Sequence, residues 1–373
     1  MKFSVSSSDL KKQLQIASGA IGSNPVLPIL EDFLFTVDKN KLIISATDLE
    51  TSIRTSIEVN SDKNGSVAVP AKILLDTLKE LPQQPITFNI NDENYGIEIT
   101  SAYGKYRLAG ENGDDFPTIP SPDEVDSVDL KANVLNQAIS KTLFATSNDD
   151  LRPAMTGVYL QVDFNKIIFV ATDAHKLVKQ TFNSIEGEVN TSFIIPKKAL
   201  NLLKNALPSG EEDGVKLSFN KSNAFFSFGD IDLVCRLIDA RYPDYNAVIP
   251  VDNPHLLTLQ RMDFLNSLKR IAIYANKTTN QVILNINDGS LTVSAQDLDF
   301  SNEATEQLTC TYAGEPLTIG FNAKFLIEML NVLESDEIKM ELSTPTRAGI
   351  LLPTDGVEGQ EILMLVMPVM LSN

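Results

Sequence analysis

Ala46-Thr47-Asp48, Ala171-Thr172-Asp173 and Ala295-Gln296-Asp297 end three separate stretches of the chain, and their aspartates lie 125 and 124 residues apart. A second marker follows each. Val69-Pro70-Ala71-Lys72 returns as Ile195-Pro196-Lys197-Lys198 and again as Phe321-Asn322-Ala323-Lys324, each time 126 residues on. A third, Phe116-Pro117, returns as Tyr242-Pro243 after another 126, and each is followed by an Ile-Pro pair, Ile119-Pro120 and Ile249-Pro250. Three markers sharing one period make the chain a triplication. A period this long is a domain, not a solenoid unit. Pro120-Ser121-Pro122-Asp123 and Pro250-Val251-Asp252-Asn253-Pro254 are turn-rich and hostile to helices, so one copy hands over to the next there. The expected domains are residues 1–122, 123–252 and 253–373.

The order of elements repeats with the markers. In the first copy a strand over Lys2 to Val5 leads into an amphipathic helix at Asp9 to Ser18, with Leu10, Leu14 and Ala17 on one face. Strands over Asp32 to Val37 and Lys41 to Ser45 flank the polar turn Asp38-Lys39-Asn40. A second helix runs from Ala71 to Leu81, with Pro70 at its start and Pro82 just past its end. Alternation in Tyr95-Gly96-Ile97-Glu98-Ile99-Thr100 gives a late strand. Two helices and roughly eight strands per copy predict an α+β architecture, with helices on one face of antiparallel sheets.

With 373 residues, 43% hydrophobic and 21% charged, the chain has the composition of a soluble globular protein. No stretch reads as a signal peptide or a membrane span, and a cytoplasmic protein without membrane contact is expected. Cys235 and Cys310 are too few and too far apart for a disulfide framework or a metal knuckle, and read as reduced thiols.

Charge is the informative quantity. The net charge of −18 argues against a simple nucleic-acid binder. Yet the six expected helical segments together carry +6, which leaves −24 on everything else. Lys72, Lys198 and Lys324 occupy one equivalent helix position in the three copies. Lys72 with Lys79, and Lys197 with Lys204, lie seven residues apart and so share a helix face. Lysine on a solvated helix face is ordinary. Cations gathered on helices while acid covers the rest would draw a polyanion to one surface and repel it elsewhere, weakly and without sequence preference.

Several motifs resemble the bacterial sliding-clamp family, the beta subunits of the replicative DNA polymerase III, over the whole length. Met1-Lys2-Phe3, Leu27-Pro28-Ile29-Leu30 and Thr47-Asp48-Leu49-Glu50 resemble its first domain. Thr172-Asp173-Ala174-His175-Lys176-Leu177 and Arg241-Tyr242-Pro243-Asp244-Tyr245 resemble its second, and Val366-Met367-Pro368-Val369-Met370-Leu371 is similar to its ending. The resemblance implies the DNA-clamp fold: a head-to-tail homodimer of three-domain chains closed into a ring, helices lining a pore around double-stranded DNA.

On that reading Lys12, Lys72, Lys79, Lys141, Lys197, Lys198, Lys204, Lys269 and Lys324 face DNA from the helices, with Arg152 from a loop. Asn24 stands where some members have arginine, and Pro153-Ala154 where some have a tyrosine pair, so the helix lysines would carry more of the contact. Tyr106 of the first domain would meet Ile273 and Tyr274 in the third domain of the other chain of the dimer. The family's partner-peptide pocket maps onto Met155, Thr172, Ala174, His175, Lys176, Leu177, Pro243 and Val248 on one wall. Thr346, Leu365, Met367, Pro368, Val369 and Met370 form the other. Implied partners are the polymerase III alpha subunit, the clamp loader, and other polymerases and repair proteins that insert short peptides. Flexible, polarizable methionines suit a groove used by several partners.

Two rival classes compete with this reading. An enzyme would have to use His175 beside Asp173, since His255, the only other histidine, sits in the Pro-flanked linker. A lone histidine near an aspartate is usually packed or hydrogen-bonded. Asp48, Asp173 and Asp297 recur in every copy and read as turn residues. Asp114-Asp115 and Glu211-Glu212-Asp213 read as solvated loops. No catalytic residue, metal or cofactor is expected, and without a P-loop motif the chain cannot open a ring with ATP, so it would need a separate loader. The second rival is an acidic peptide-binding scaffold that never encircles DNA.

Overall fold

The computed structural model describes residues 1–183, 190–210 and 213–371. Among them are six α-helices, two to each copy of the repeat: α1 (Ser7–Ser18), α2 (Ala71–Glu80), α3 (Ala132–Thr142), α4 (Lys197–Ala206), α5 (Arg261–Ile271) and α6 (Ala323–Val332). Helix α1 starts two residues earlier than the periodicity predicts. The backbone N–H of Ser7 donates to Gln84 O (2.9 Å) and its hydroxyl to Pro82 O (2.9 Å), so tertiary acceptors serve a first-turn donor that the helix itself leaves unpaired. Helix α2 stops one residue short because Pro82 holds Leu81 extended, at ψ 133°. Leu10, Leu14 and Ala17 of α1 are fully buried, as the spacing predicts. Under them Phe3 stacks on Phe88 at 4.8 Å, with Phe35 edge-on at 6.0 Å. Each such ring removed from water stabilises by about 1.5–3 kcal/mol.

The chain divides into two compact units, Met1–Asn136 with Lys198–Leu237, and Gln137–Lys197 with Ile238–Asn373. The middle copy therefore contributes to both. The reason is strand pairing. In each copy one strand follows the marker turn (Thr51–Glu58, Lys176–Asn183, Asn302–Thr309), and one closes the domain (Lys105–Ala109, Ile231–Arg236, Gln360–Val366).

Within the first unit Ile231–Arg236 pairs antiparallel with Thr51–Glu58, making one nine-stranded sheet from strands of two copies. Within the second unit Gln360–Val366 pairs in the same way with Lys176–Asn183, giving another nine-stranded sheet. Each pairing covers an edge whose N–H and C=O groups would otherwise stay open. Among the described residues two strands of these classes remain uncovered: Lys105–Ala109, at the end of a five-stranded sheet, and Asn302–Thr309, at the end of a four-stranded one.

The proline-flanked segment before His255 is pinned. Asn253 is buried, and its amide donates to Glu341 O and Ala348 O at 3.0 Å each. His255 itself opens the strand His255–Gln260 and lies outside the linker.

Candidate functional site

The marker turn is built alike in the first two copies. Asp48 Oδ1 accepts from the N–H groups of Glu50 (3.0 Å) and Thr51 (2.7 Å), and Asp173 Oδ1 from those of His175 and Lys176 (2.9 Å each). The hydroxyls of Thr47 and Thr172 accept from Leu49 N–H (3.0 Å) and Ala174 N–H (3.1 Å). Together they hold Leu49 and Ala174 in the left-handed region, at φ 78° and 77°. In the third copy Gln296 replaces the threonine, and Asp297 accepts from Asp299 N–H (3.1 Å). These aspartates are turn residues.

The Asp173 turn sends its neighbours in opposite directions. Lys176 goes inward: its Nζ lies 2.8 Å from Asp173 Oδ2, 3.1 Å from Glu328 Oε2 of α6 and 4.3 Å from the centre of the Phe325 ring. At 5% exposure it is a paired pillar under α6, not an open wall of a pocket. His175 goes outward, stacked on Phe325 at 6.2 Å, and its carbonyl accepts Met367 N–H at 2.8 Å. Asp173 bonds the backbone of His175, not its ring, so the two do not form a carboxylate–imidazole pair.

Beside this turn lies an apolar floor. Leu177 faces Leu365 across the strand pair, and both pack in a buried cluster with Val170, Ile194, Tyr242 and Ala348. Tyr242 stacks on Tyr159 at 4.5 Å and donates its hydroxyl to Val170 O at 3.3 Å. Burial pushes its phenol upward, so it stays a neutral donor. Pro243, Val248 and Met367, close in the chain to Tyr242, Ile249 and Leu365 of the floor, are exposed, as is Met370, while Pro368 and Val369 are half-buried. Val369 N–H donates to Gly320 O at 2.8 Å, which fixes the terminal segment. Exposed apolar side chains beside a buried apolar floor suit a short apolar peptide.

Thr172 is buried and spends its hydroxyl on Lys176 O (2.7 Å), and Ala174 is exposed. Half-buried Met155 accepts Ser147 N–H at its carbonyl (2.8 Å), and Thr346 is exposed in a turn. Neither belongs to the floor cluster. Val170, Ala154 and Tyr242 do, and the sequence reading did not select them. The signal was available for two: Tyr242 is a repeat marker, and Val170 is two residues from Thr172 on one strand.

The six helices carry a net +7 in a chain of −18. Lys12, Lys72, Lys79, Lys198, Lys204, Lys269 and Lys324 are exposed, as is Arg152. Some are held by carboxylates: Lys79 by Asp76 (2.9 Å), Arg152 by Asp149 (2.9 Å) and Lys198 by Asp48. Lys197 is half-buried and donates to Asn148 Oδ1 at 3.0 Å. Lys141 is the most withdrawn, its side chain 12% exposed with Glu334 at 3.6 Å.

Tyr106 sits half-buried on the uncovered strand Lys105–Ala109, between Lys105 and Arg107, which both pair with Glu98. Ile273 and Tyr274 are exposed in the turn that follows α5. Both cysteines are free thiols, and burial pushes that of Cys235 up to about 12. No group of three or more metal-ligating side chains forms among the described residues. Glu211 and Glu212 lie outside them.

Three models of the DNA polymerase III beta subunit match the chain in order: the N-terminal domain over residues 1–120, the central domain over 129–244 and the C-terminal domain over 246–369. The chain belongs to the DNA polymerase III beta subunit family. Among its relatives are the beta sliding clamps of Synechococcus elongatus, 31% identical over 383 residues, and of Synechocystis, 32% identical over 397; all of each chain is covered. The crystal structure of the beta subunit from Thermotoga maritima has a TM-score of 0.91 at 27% identity. That of a sliding clamp from Bartonella birtlesii bound to griselimycin has 0.93 at 29%, and both cover this chain and their own completely. The family is one of DNA sliding clamps, non-catalytic accessory subunits of the polymerase, and the α+β clamp fold read from the sequence is the fold observed.

Proposed function

We propose that two copies of this chain close head to tail into a ring around duplex DNA and tether the replication machinery to it. Its three clamp domains are residues 1–122, 123–252 and 253–373. One observation carries the reading. Twice along the chain a domain-closing strand covers the strand that follows a marker turn, and the two strands left over, Lys105–Ala109 and Asn302–Thr309, are the matching halves of one further such junction. A repeat with complementary ends makes heterologous contacts, which close when the rotation allows. In a dimer each copy's leftover strand meets the other's, and Tyr106 meets Ile273 and Tyr274.

The helix lysines then supply phosphate contacts without base readout, which leaves the ring free to slide. The apolar floor between Leu177 and Leu365, with the Met367–Met370 segment, receives peptides of the polymerase III alpha subunit, the clamp loader, and other polymerases and repair proteins. The setting is the cytoplasm. Topology is the test: after loading by a clamp loader with ATP, the protein stays on a closed circular plasmid and is lost when the circle is cut. Retention on linear DNA, or none on circles, would favour a scaffold that does not encircle DNA.

A further inference from the structure

In the second unit a cavity of about 300 Å³ opens between the C-terminal ends of α3 and α6 and the hairpin joining Gly349–Pro353 to Gln360–Val366. The alternation of the strand Lys176–Asn183 decides what lines it. Leu177 and Lys179 face the apolar floor and the Tyr245 ring, so Gln180 faces the other way, into the cavity. Gln180 is 1% exposed, and its side-chain Oε1 has no hydrogen-bond donor among the described residues. Ser335 Oγ, lining the same cavity, is buried and equally without a partner. Two buried, unpartnered polar atoms on residues that line one space are costly unless something there bonds to them.

The charge around them has a sign. Lys141 is the one cation of the lining, with Glu334 Oε2 at 3.6 Å, while Glu334, Asp336 and Asp355 leave the lining net negative. Leu333 and Val357 add apolar surface. Unpaired acceptors, excess negative charge and apolar walls together describe a site for an alkylammonium group.

We propose that this cavity binds such a group. Its N–H donors would serve Gln180 Oε1 and Ser335 Oγ, its charge the acidic lining, and its methylenes Leu333 and Val357. The group could belong to a free aliphatic diamine or to a lysine side chain of another protein.

Calorimetric titration of the full-length protein with 1,4-diaminobutane and with Nα-acetyl-lysine amide tests this, with 1,4-butanediol as the uncharged control. The expected result is one saturable site per chain for an amine and none for the diol. Preference for the diamine assigns the site to free polyamine, and preference for the lysine amide assigns it to a partner's lysine. Gln180→Met and Asp355→Asn should each weaken binding about tenfold. Ser335→Ala should do the same and decides the matter if Gln180→Met does not fold. No saturable amine binding would overturn the proposal. So would equal binding of the diol, or an affinity unchanged by the Gln180 or Ser335 variant, which would mark general attraction to an acidic surface.

Discussion

Cys235 lies opposite Thr51 in the antiparallel ladder that joins the closing strand of the middle copy to the strand after the first copy's Asp48 turn. Leu177 lies opposite Leu365 in the equivalent ladder of the second unit. The same kind of junction thus occurs twice, and in both units it starts beside a turn held by an aspartate. The turn, the ladder and, in the second unit, the apolar floor are one construction.

Removing either aspartate should therefore destabilise the protein, and unequally. Asp48→Ala strips an acceptor from two backbone N–H groups and a partner from Lys198, whose ammonium is exposed and so costs little to free, about 1–2 kcal/mol in all. Asp173→Ala also takes a partner from buried Lys176, leaving only Glu328 to meet its charge, and should cost about 3 kcal/mol or more. Urea unfolding of the two variants checks the order.

Asp32 should make stability depend on pH. Burial first, then the charges of Glu111 and Glu31, raise its pKa from 3.8 to about 6. A carboxyl raised in the folded state binds its proton more tightly there than in the unfolded chain. Its contribution is complete below pH 3.8 and is lost as pH rises through 6. Asp32→Asn should raise stability at pH 8 by about 1–2 kcal/mol and flatten the profile between those limits. Thermal unfolding against pH measures both.

The cationic helices should differ residue by residue in their effect on DNA binding. Lys72, Lys204 and Lys269 are exposed and have no carboxylate partner among the described residues. Replacing each by alanine should lower the slope of log K against log salt by about 0.9 for every phosphate that the side chain had neutralised. Lys141→Ala should change the slope far less, because its ammonium is withdrawn and faces Glu334. Binding titrations at several salt concentrations separate the two classes.

Met367→Ala with Met370→Ala should weaken a bound partner peptide at least about tenfold, since both side chains are exposed. The fold should be untouched. Leu177→Ala, at a fully packed position, should instead cost about 2–5 kcal/mol of stability. Peptide titration beside thermal unfolding distinguishes the two variants.

Local signals carried the repeat, the six helices and the buried face of α1, because each depends on residues near one another in sequence. Lys198 shows where such signals stop. Its place in α4 followed from the repeat, but its bond to Asp48, 150 positions away, could come only from the ladder that joins the two copies. The split of the middle copy escaped for the same reason, as alternation marks a strand without naming its partner. Lys176 was expected on a pocket wall, and its burial depends on Glu328 and Phe325 of a helix in another copy. The floor was reached by resemblance for Leu177 and Leu365. Val170 could have been reached from Thr172 on the same strand, but Ala154 had no feature of its own to distinguish it from ordinary core.

Sedimentation equilibrium at micromolar concentration tests the matching of the two leftover strands most directly. A mass near twice 41.0 kDa, falling to 41.0 kDa when Tyr106 and Ile273 are both replaced by aspartate, is the predicted result. A wild-type mass of 41.0 kDa would mean that Lys105–Ala109 and Asn302–Thr309 stay open, and would contradict it.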